Sequence, residues 1–420
     1  MVKKNLEGNL LDRLSAPVTN LLKRAGREAT RSDSNLYLVG GIVRDLLLGR
    51  PGKDIDLMVE GNATALAERL ASKNNAKLTV HKKFGTATFH FQDYRIDLAT
   101  CRSETYRRPG ALPDVKPGDI REDLSRRDFT INAMAIDLSP TRYGQLIDLY
   151  GGGADLSNGL IRVLHDKSFE DDATRIMRAI RYEQRLGFKL EKRTENLLKR
   201  NLPLLDTISS ERLRKEVLLW LSEESPQRIL QRADRLGVLA KIHPSLRWDN
   251  NLAIAFKRAS LLPDKVNKES LYFCLLAYHL TERELLELLQ RLNLTGTRLD
   301  PLTHHTIKIK NRRDQLIKEE LRNSELYFLL KGFPLISIQA NYIYPNPRSM
   351  RSRLGLYLNK LDKVQTLTRG TRLISLGIRE GPIIGKILRA LLAARLDGKV
   401  KTRNEEEQLA LKLAANETSL

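Results

Sequence analysis

The sequence predicts a small α+β head followed by a long, all-α remainder. Three observations carry this. From Leu36 to Tyr150 short apolar strands alternate with short helical stretches. Gly151, Gly152 and Gly153 then break the pattern. Beyond them, nearly every segment repeats its apolar residues at helical spacing.

The elements follow in order. Leu10, Leu11, Leu14, Val18, Leu21 and Leu22 are spaced as on a helix, so residues 10–30 read as largely helical, with Pro17 breaking or restarting the helix. Leu36–Val39 is a short apolar strand. Val43–Leu48 reads as a helix stopped by Gly49 and Pro51. Asp54–Val59 is a second strand, and Ala63–Asn74, rich in Ala and Leu, a helix. Thr86–Phe91 and Tyr94–Ala99 alternate like a hairpin around a Gln92-Asp93 turn. Residues 103–121 hold three prolines and two glycines and read as a long loop, a kind that is usually functional or mobile. A helix is expected from about Ser125, then a strand at Leu146–Leu149.

Composition points to a polyanionic partner. Lys+Arg minus Asp+Glu is 72 − 51 = +21, and nucleic acid is the first candidate for such a surplus. From residue 301 onward there are 22 Lys+Arg against 11 Asp+Glu, so the tail is basic in its own right. Cys101 and Cys274 are far apart and match no metal or redox spacing, which favours a reducing cytoplasm. No apolar run reaches the roughly 18 residues of a membrane span, and Met1–Gly8 carries no apolar export segment. P-loop, Gly-x-Ser-x-Gly and His-Glu-x-x-His patterns are absent.

Three stretches carry chemistry. In Gly40-Gly41-Ile42-Val43-Arg44-Asp45 a glycine pair suits close approach of backbone to phosphate, with Arg44 as a neighbouring cation. Asp54-Ile55-Asp56 follows, and on a strand Asp54 and Asp56 face one side. Two convergent carboxylates suit Mg²⁺ when substrate phosphates complete its oxygen shell. In Arg126-Arg127-Asp128-Phe129-Thr130-Ile131-Asn132-Ala133 two guanidiniums can grip phosphate or ribose oxygens. Asp128 can orient one of them or the loop, and Asn132 can hold a sugar hydroxyl or cap a turn. In Asp171-Asp172-Ala173-Thr174-Arg175-Ile176-Met177-Arg178-Ala179-Ile180-Arg181 a continuous helix sets Asp172 and Arg175 side by side and extends the row to Arg178 and Arg181. A solvated ion-pair face is the plain reading of such charges. The sharper one is a base reader. The carboxylate accepts from an exocyclic amine and the guanidinium donates to a ring nitrogen, so cytosine and adenine fit while uracil and guanine leave groups unpaired.

In this order, and with Asp148-Leu149-Tyr150-Gly151-Gly152 between them, these motifs resemble the class II tRNA nucleotidyltransferase and bacterial poly(A) polymerase family. Ser209-Ser210-Glu211-Arg212-Leu213-Arg214-Lys215-Glu216 resembles the helix motif that follows in that family. The likeness covers residues 36–220, with a weaker echo at Gly370–Gly385, and leans toward the CCA-adding members because Asn132-Ala133-Met134-Ala135 is similar to their form. It implies a nucleotidyltransferase-superfamily sheet in the head. It implies an N-terminal helical segment 1–35, head 36–150, neck 151–208, helical body 209–265 and basic tail 266–420 that binds tRNA. It implies Mg²⁺ on Asp54 and Asp56, triphosphate and ribose contacts from Gly41, Arg44, Arg126 and Arg127, base reading by Asp172 and Arg175, and support from Arg178 and Arg181. Asp171 stands where the family usually has Glu. Asp97 is a candidate third carboxylate, and the 103–121 loop lies where the family's flexible loop helps to switch from C to A addition.

The expected activity is template-independent addition of C, C and A to the 3′ end of tRNA from CTP and ATP. Enzymes adding only CC or only the terminal A share every motif. A poly(A) polymerase and a catalytically dead RNA-binding protein are the further alternatives, the last opposed by the intact Asp54, Asp56, Arg44 and Asp172.

Overall fold

The computed structural model describes residues 10–50, 52–81, 85–105 and 114–418. These fall into two compact units. One comprises residues up to 216 together with 223–241, the other 217–222 with 242–420.

The first unit opens with a 3₁₀ turn, Leu10–Arg13, and helix α1, Ala16–Thr30, with Pro17 in its first turn. There proline's fixed φ favours the helix and its missing N–H costs nothing. Strand β1 (Asn35–Val39), helix α2 (Gly41–Leu47), strand β2 (Asp54–Glu60) and helix α3 (Ala63–Lys73) follow. Next come β3 (Leu78–His81), β4 (Thr86–Phe91) and β5 (Tyr94–Thr100), then β6 (Arg102–Thr105) and β7 (Asp114–Pro117). Helix α4 (Ile120–Ser125), a 3₁₀ turn at Thr130–Asn132, β8 (Met134–Asp137) and β9 (Leu146–Asp148) complete the sheet region. Seven strands form one sheet in the order β3-β4-β5-β2-β1-β8-β9. Only β2 and β5 in it run parallel.

Alternation sorts the core. Tyr37 and Val39 join Met58, Ala135 and the α4 residues Ile120 and Leu124 in one cluster. Leu36 and Leu38, fully buried, take the other side of β1, and α1 packs against this strand. The helices α5 (Gly152–Asn158), α6 (Ser168–Asp171), α7 (Thr174–Leu186), α8 (Lys192–Arg200) and α9 (Ser210–Ser222) follow. The second unit is helical, with one core around Leu316, Leu330, Ile338, Met350 and Leu354 and another around Leu373, Ile387 and Leu391. Both cysteines are buried and free. Among the described residues no helix is long and apolar enough to cross a membrane.

Three sequence expectations are corrected. The stretch 103–121 is not one loop: β6 and β7 pair antiparallel across it, Arg102 opposite Pro117 and Thr105 opposite Asp114. Residues 106–113 between them lie outside the described residues. The helix expected from Ser125 ends there instead. Asp119 and Glu122 form a reciprocal capping box that starts α4 at Ile120. Phe129 is then extended, and Met134–Asp137 enters the sheet between β1 and β9. Finally, the helix expected across 171–181 is broken at Asp172, which is extended at φ −145°. Its carboxylate accepts from the Thr174 N–H at 2.9 Å and so caps the first turn of α7.

Helix α1 docks through a bare position. A Cβ placed on Gly26 would sit 1.8 Å from the Leu138 carbonyl oxygen, a backbone atom that cannot swing away. On an open helix Gly→Ala stabilises by about 1 kcal/mol. Here overpacking reverses the sign, and Gly26→Ala should lower stability by about 1–3 kcal/mol in denaturant unfolding. A more stable variant would show that α1 does not dock in this way.

Candidate active site

A cleft of about 760 Å³ gathers nine of the ten residues singled out by sequence: Gly41, Arg44, Asp54, Asp56, Arg126, Arg127, Asp172, Arg175 and Arg178. Arg181 does not line it.

The glycine pair sits between β1 and α2. Gly40 has φ +76°, a conformation that favours glycine, and a Cβ there would lie 2.9 Å from Arg127 Nη1 and push that side chain's tip aside. Gly41 opens α2 and lines the cleft without either constraint. Arg44 is buried. It grips Asp45 with two nitrogens at 2.8 and 3.0 Å and donates to Asn132 Oδ1 at 2.8 Å.

Asp54 and Asp56 project from the exposed face of β2, and neither has a hydrogen bond or ion pair among the described residues. Asp97 is directly opposite Asp56 in the β2–β5 register, but its carboxylate is engaged by Thr88 and Arg95. Poor solvation on the cleft floor, then the neighbouring Asp97 and Asp54, raise the Asp56 pKa above the ordinary carboxylate range, with Arg127 opposing. Two free hard-oxygen donors fit Mg²⁺ completed by phosphate and water oxygens. They do not make a self-sufficient cage: among the described residues no group of three or more His, Cys, Asp or Glu gathers to hold a metal.

The Arg126/Arg127 pair is held from below. Asp123, fully buried, takes Arg126 on one oxygen and Arg127 on the other at 2.8 Å. Arg126 also reaches Glu104 at 3.0 Å and the Arg102 carbonyl at 3.2 Å, tying the β6–β7 ribbon to the cleft. Asp128 orients its own loop, accepting from the Phe129 N–H at 2.9 Å and Asn132 Nδ2 at 3.0 Å. Its other oxygen receives Arg178 Nε and Nη2 at 2.9 and 2.6 Å. Burial alone would raise the Asp128 pKa; Arg178 and Asn132 outweigh it and lower the value.

The base-reading pair expected from sequence is arranged differently. Arg175 turns into the protein and donates to Ser168 Oγ and the Arg126 carbonyl, both at 2.6 Å. The guanidinium beside Asp172 is that of Arg212, at 2.6 Å. Arg212 is forty residues away and invisible to a rule that compares neighbours on one helix. Tyr182 was missed as well. Its ring lies 5.1–5.6 Å from the guanidiniums of Arg44, Arg178 and Arg181, a cation–π meeting point. The i, i+4 spacing of Arg178 and Tyr182 was the available signal. Arg181 stands behind this wall, 3.5 Å from the buried Glu216 and 3.4 Å from Glu223. Burial raises the Glu216 pKa against the pull of Arg181 and Arg178.

The arrangement therefore offers two uncommitted carboxylates, a wall of pre-positioned arginines, and a carboxylate–guanidinium pair open to the same space. Phosphate chemistry next to a hydrogen-bonding ligand edge is what it can support.

Residues 36–162 match the family described as "Poly A polymerase head domain", and 187–249 match "Probable RNA and SrmB- binding site of polymerase A". An A-adding tRNA nucleotidyltransferase of Geobacter sulfurreducens is 37% identical over 96% of this chain, which spans only 48% of that relative. An A-adding tRNA nucleotidyltransferase of Halalkalibacterium halodurans is 32% identical over 96% of this chain and 95% of its own length. The solved structure of the Thermotoga maritima CCA-adding enzyme complexed with tRNA superposes with TM-score 0.78 at 32% identity, covering 98% of both chains.

The Asp128–Arg178 pair sets a pH signature. A pKa below the unfolded value of about 3.9 contributes stability that is present above that value and lost as pH falls through the folded one. Asp128→Asn removes the charge that Arg178 grips most closely, leaving it Glu216 at 3.9 Å. It should cost about 2–4 kcal/mol at neutral pH, the usual range for a broken buried pair discounted for the solvent that reaches Arg178. The deficit should shrink in urea unfolding below about pH 4. A deficit independent of pH would contradict the assignment.

Proposed function

Because the chain belongs to the tRNA nucleotidyltransferase and poly(A) polymerase family, we propose that it adds C, C and A to the 3′ end of tRNA, without a nucleic-acid template, from CTP and ATP. The reading rests on one observation: unpaired Asp54 and Asp56 share a cleft with the Asp172 carboxylate and the Arg212 guanidinium beside it. The terminal ribose 3′-oxygen bonds to the α-phosphorus, the α–β anhydride bond breaks, and pyrophosphate leaves.

Asp54 and Asp56 hold Mg²⁺ in this proposal; when bound, the ion neutralises phosphate charge and lowers the pKa of the attacking hydroxyl. Arg44, Arg126 and Arg127 line the triphosphate and ribose path, with Gly41 admitting the backbone, and their carboxylate anchors fix them before substrate arrives. Asp172 accepts from the exocyclic amine of cytosine or adenine. Arg212, beside it, donates to the ring nitrogen; Arg175 lines the same cleft and must release Ser168 and the Arg126 carbonyl to take part. Arg178 and Arg181 brace α7 through Asp128 and Glu216. Residues 36–150 act as head, 151–208 as neck, 209–265 as body and 266–420 as the tRNA-binding tail. The proposed location is the cytoplasm.

A second reading is specifically favoured: both sequence relatives named above are A-adding enzymes. Incubating the full chain with tRNAs that end before the CCA, after C and after CC, with each NTP singly and together, separates the two. Complete CCA addition gives a three-nucleotide extension from CTP plus ATP. An A-adding enzyme extends only the CC-ending tRNA. No extension of any tRNA would overturn both.

Asp54→Ala or Asp56→Ala should reduce transfer by more than about a thousandfold, by loss of the metal's role, while tRNA binding stays within a few-fold. Retained activity in the double variant would remove the metal assignment. Asp172→Ala should lose about 1–3 kcal/mol of discrimination against UTP and GTP, roughly 10- to 100-fold in the kcat/KM ratio. An unchanged ratio would make Asp172 a helix cap and nothing more.

A further inference from the structure

We propose that Arg348 and Arg351 form a binding site for a backbone phosphate of RNA, in the second unit and outside the cleft. The proposal rests on the reading of this protein as an enzyme acting on tRNA.

Both arginines lie at the start of the twelve-residue helix Arg348–Asn359. Arg348, Arg351, Ser352, Gly355 and Asn359 recur at helical spacing on one face and line a shallow groove with Tyr342. The helix start is electropositive and open. Its N-cap is Pro347, which offers no capping side chain, and its first turn holds no acidic residue. That is the arrangement in which a helix start accepts an anion.

The arginines themselves are uncommitted. Arg353, on the same helix, is a structural residue, donating to the carbonyls of Leu316 and Glu319 at 2.5 and 3.0 Å. Among the described residues the guanidiniums of Arg348 and Arg351 have no carboxylate or carbonyl partner, and Arg351 Nε is enclosed without any acceptor. An enclosed N–H left unmade costs free energy that an incoming oxyanion would recover. A third guanidinium reinforces the demand. Arg258 donates to the Ile343 carbonyl at 2.8 Å, and loss of solvation together with the like charge of Arg351 lowers its pKa. Cations gathered without an acid call for an external anion.

The shape selects a polymer over a free ion. A Cβ on Gly355 would come within 3.0 Å of Tyr342 Cε2, so glycine lets that ring close against the helix as one wall. The other side is made by exposed Arg348, Ser352 and Asn359, leaving the groove open lengthwise for a chain to pass. The guanidinium fork matches two phosphate oxygens, and the Ser352 hydroxyl can add a third contact.

The test measures binding of a tRNA lacking CCA by the full chain over a range of salt, with Arg348→Gln, Arg351→Gln, the double variant, Arg351→Lys, and Lys265→Gln as an exposed charge control. The double variant should weaken binding several-fold to about tenfold and reduce the magnitude of the log–log salt slope by about 1–2, about one for each phosphate no longer neutralised. The KM for ATP and the kcat at saturating tRNA should not move. Arg351→Lys should keep the slope and lose part of the affinity, because charge remains and the fork does not. Arg348 is exposed, so its variant folds and keeps the test decisive if Arg351→Gln is unstable. Losses no larger than those of Lys265→Gln would overturn the site. Binding of inorganic phosphate to the parent, abolished in the double variant while tRNA affinity is unchanged, would also overturn it by assigning a free-anion site. If the parent extends no tRNA, the enzymatic reading fails separately.

Discussion

One buried carboxylate ties the Arg44, Asn132 and Arg178 side of the cleft together. Asp128 is 8% exposed and ionised, which is tolerable only because both of its oxygens are filled. One holds the loop through Phe129 N–H and Asn132; the other holds Arg178 on α7. Asn132 passes the connection to Arg44 on α2. Three segments distant in sequence are thereby fixed on one another, and Tyr182 supplies a second meeting point for Arg44 and Arg178. A shared network of this kind is worth more than its separate bonds.

The two signs of charge are treated in opposite ways. The arginines of the cleft are satisfied in advance by Asp45, Asp123, Asp128 and Asp172. Their orientation is therefore set before a polyphosphate arrives. Asp54 and Asp56 have no such partners, and the protein leaves them facing one another's field. Carboxylates held together with no cation bonded to them are a standing demand for positive charge. In the proposed reaction these two carboxylates would hold a divalent ion, which would supply that positive charge. In the second unit the demand has the other sign, since Arg258 and Arg351 crowd each other without an acid.

Much of this is legible in the sequence because it is local. Gly40 with positive φ, the apolar run of β1, the Asp-x-Asp start of β2, the Gln92 turn and the proline in the first turn of α1 are properties of a few adjacent residues. The departures have physical causes of the same scale. Strand β7 is exposed at all four positions and shows no apolar signature, while the alternation of β3 spans only four residues. The capping box Asp119–Glu122 lies inside a proline-rich stretch that reads as loop, which also hides Asp123 as the anchor of Arg126 and Arg127. The spacing of charges three apart sets Asp172 on a helix with Arg175. Its role as the cap between α6 and α7 turns it instead to Arg212, a partner only the folded chain brings near.

Arg44 and Arg178 share no hydrogen bond, yet Asn132, Asp128 and Tyr182 tie them together, so they should act as one unit. A double-mutant cycle on kcat/KM for nucleotide addition, with Arg44→Gln, Arg178→Gln and the pair, measures this directly. A single connected network predicts a coupling above about 1 kcal/mol, with the double variant little worse than the poorer single one. Effects that add to within about 0.5 kcal/mol would mean independent sites and contradict it.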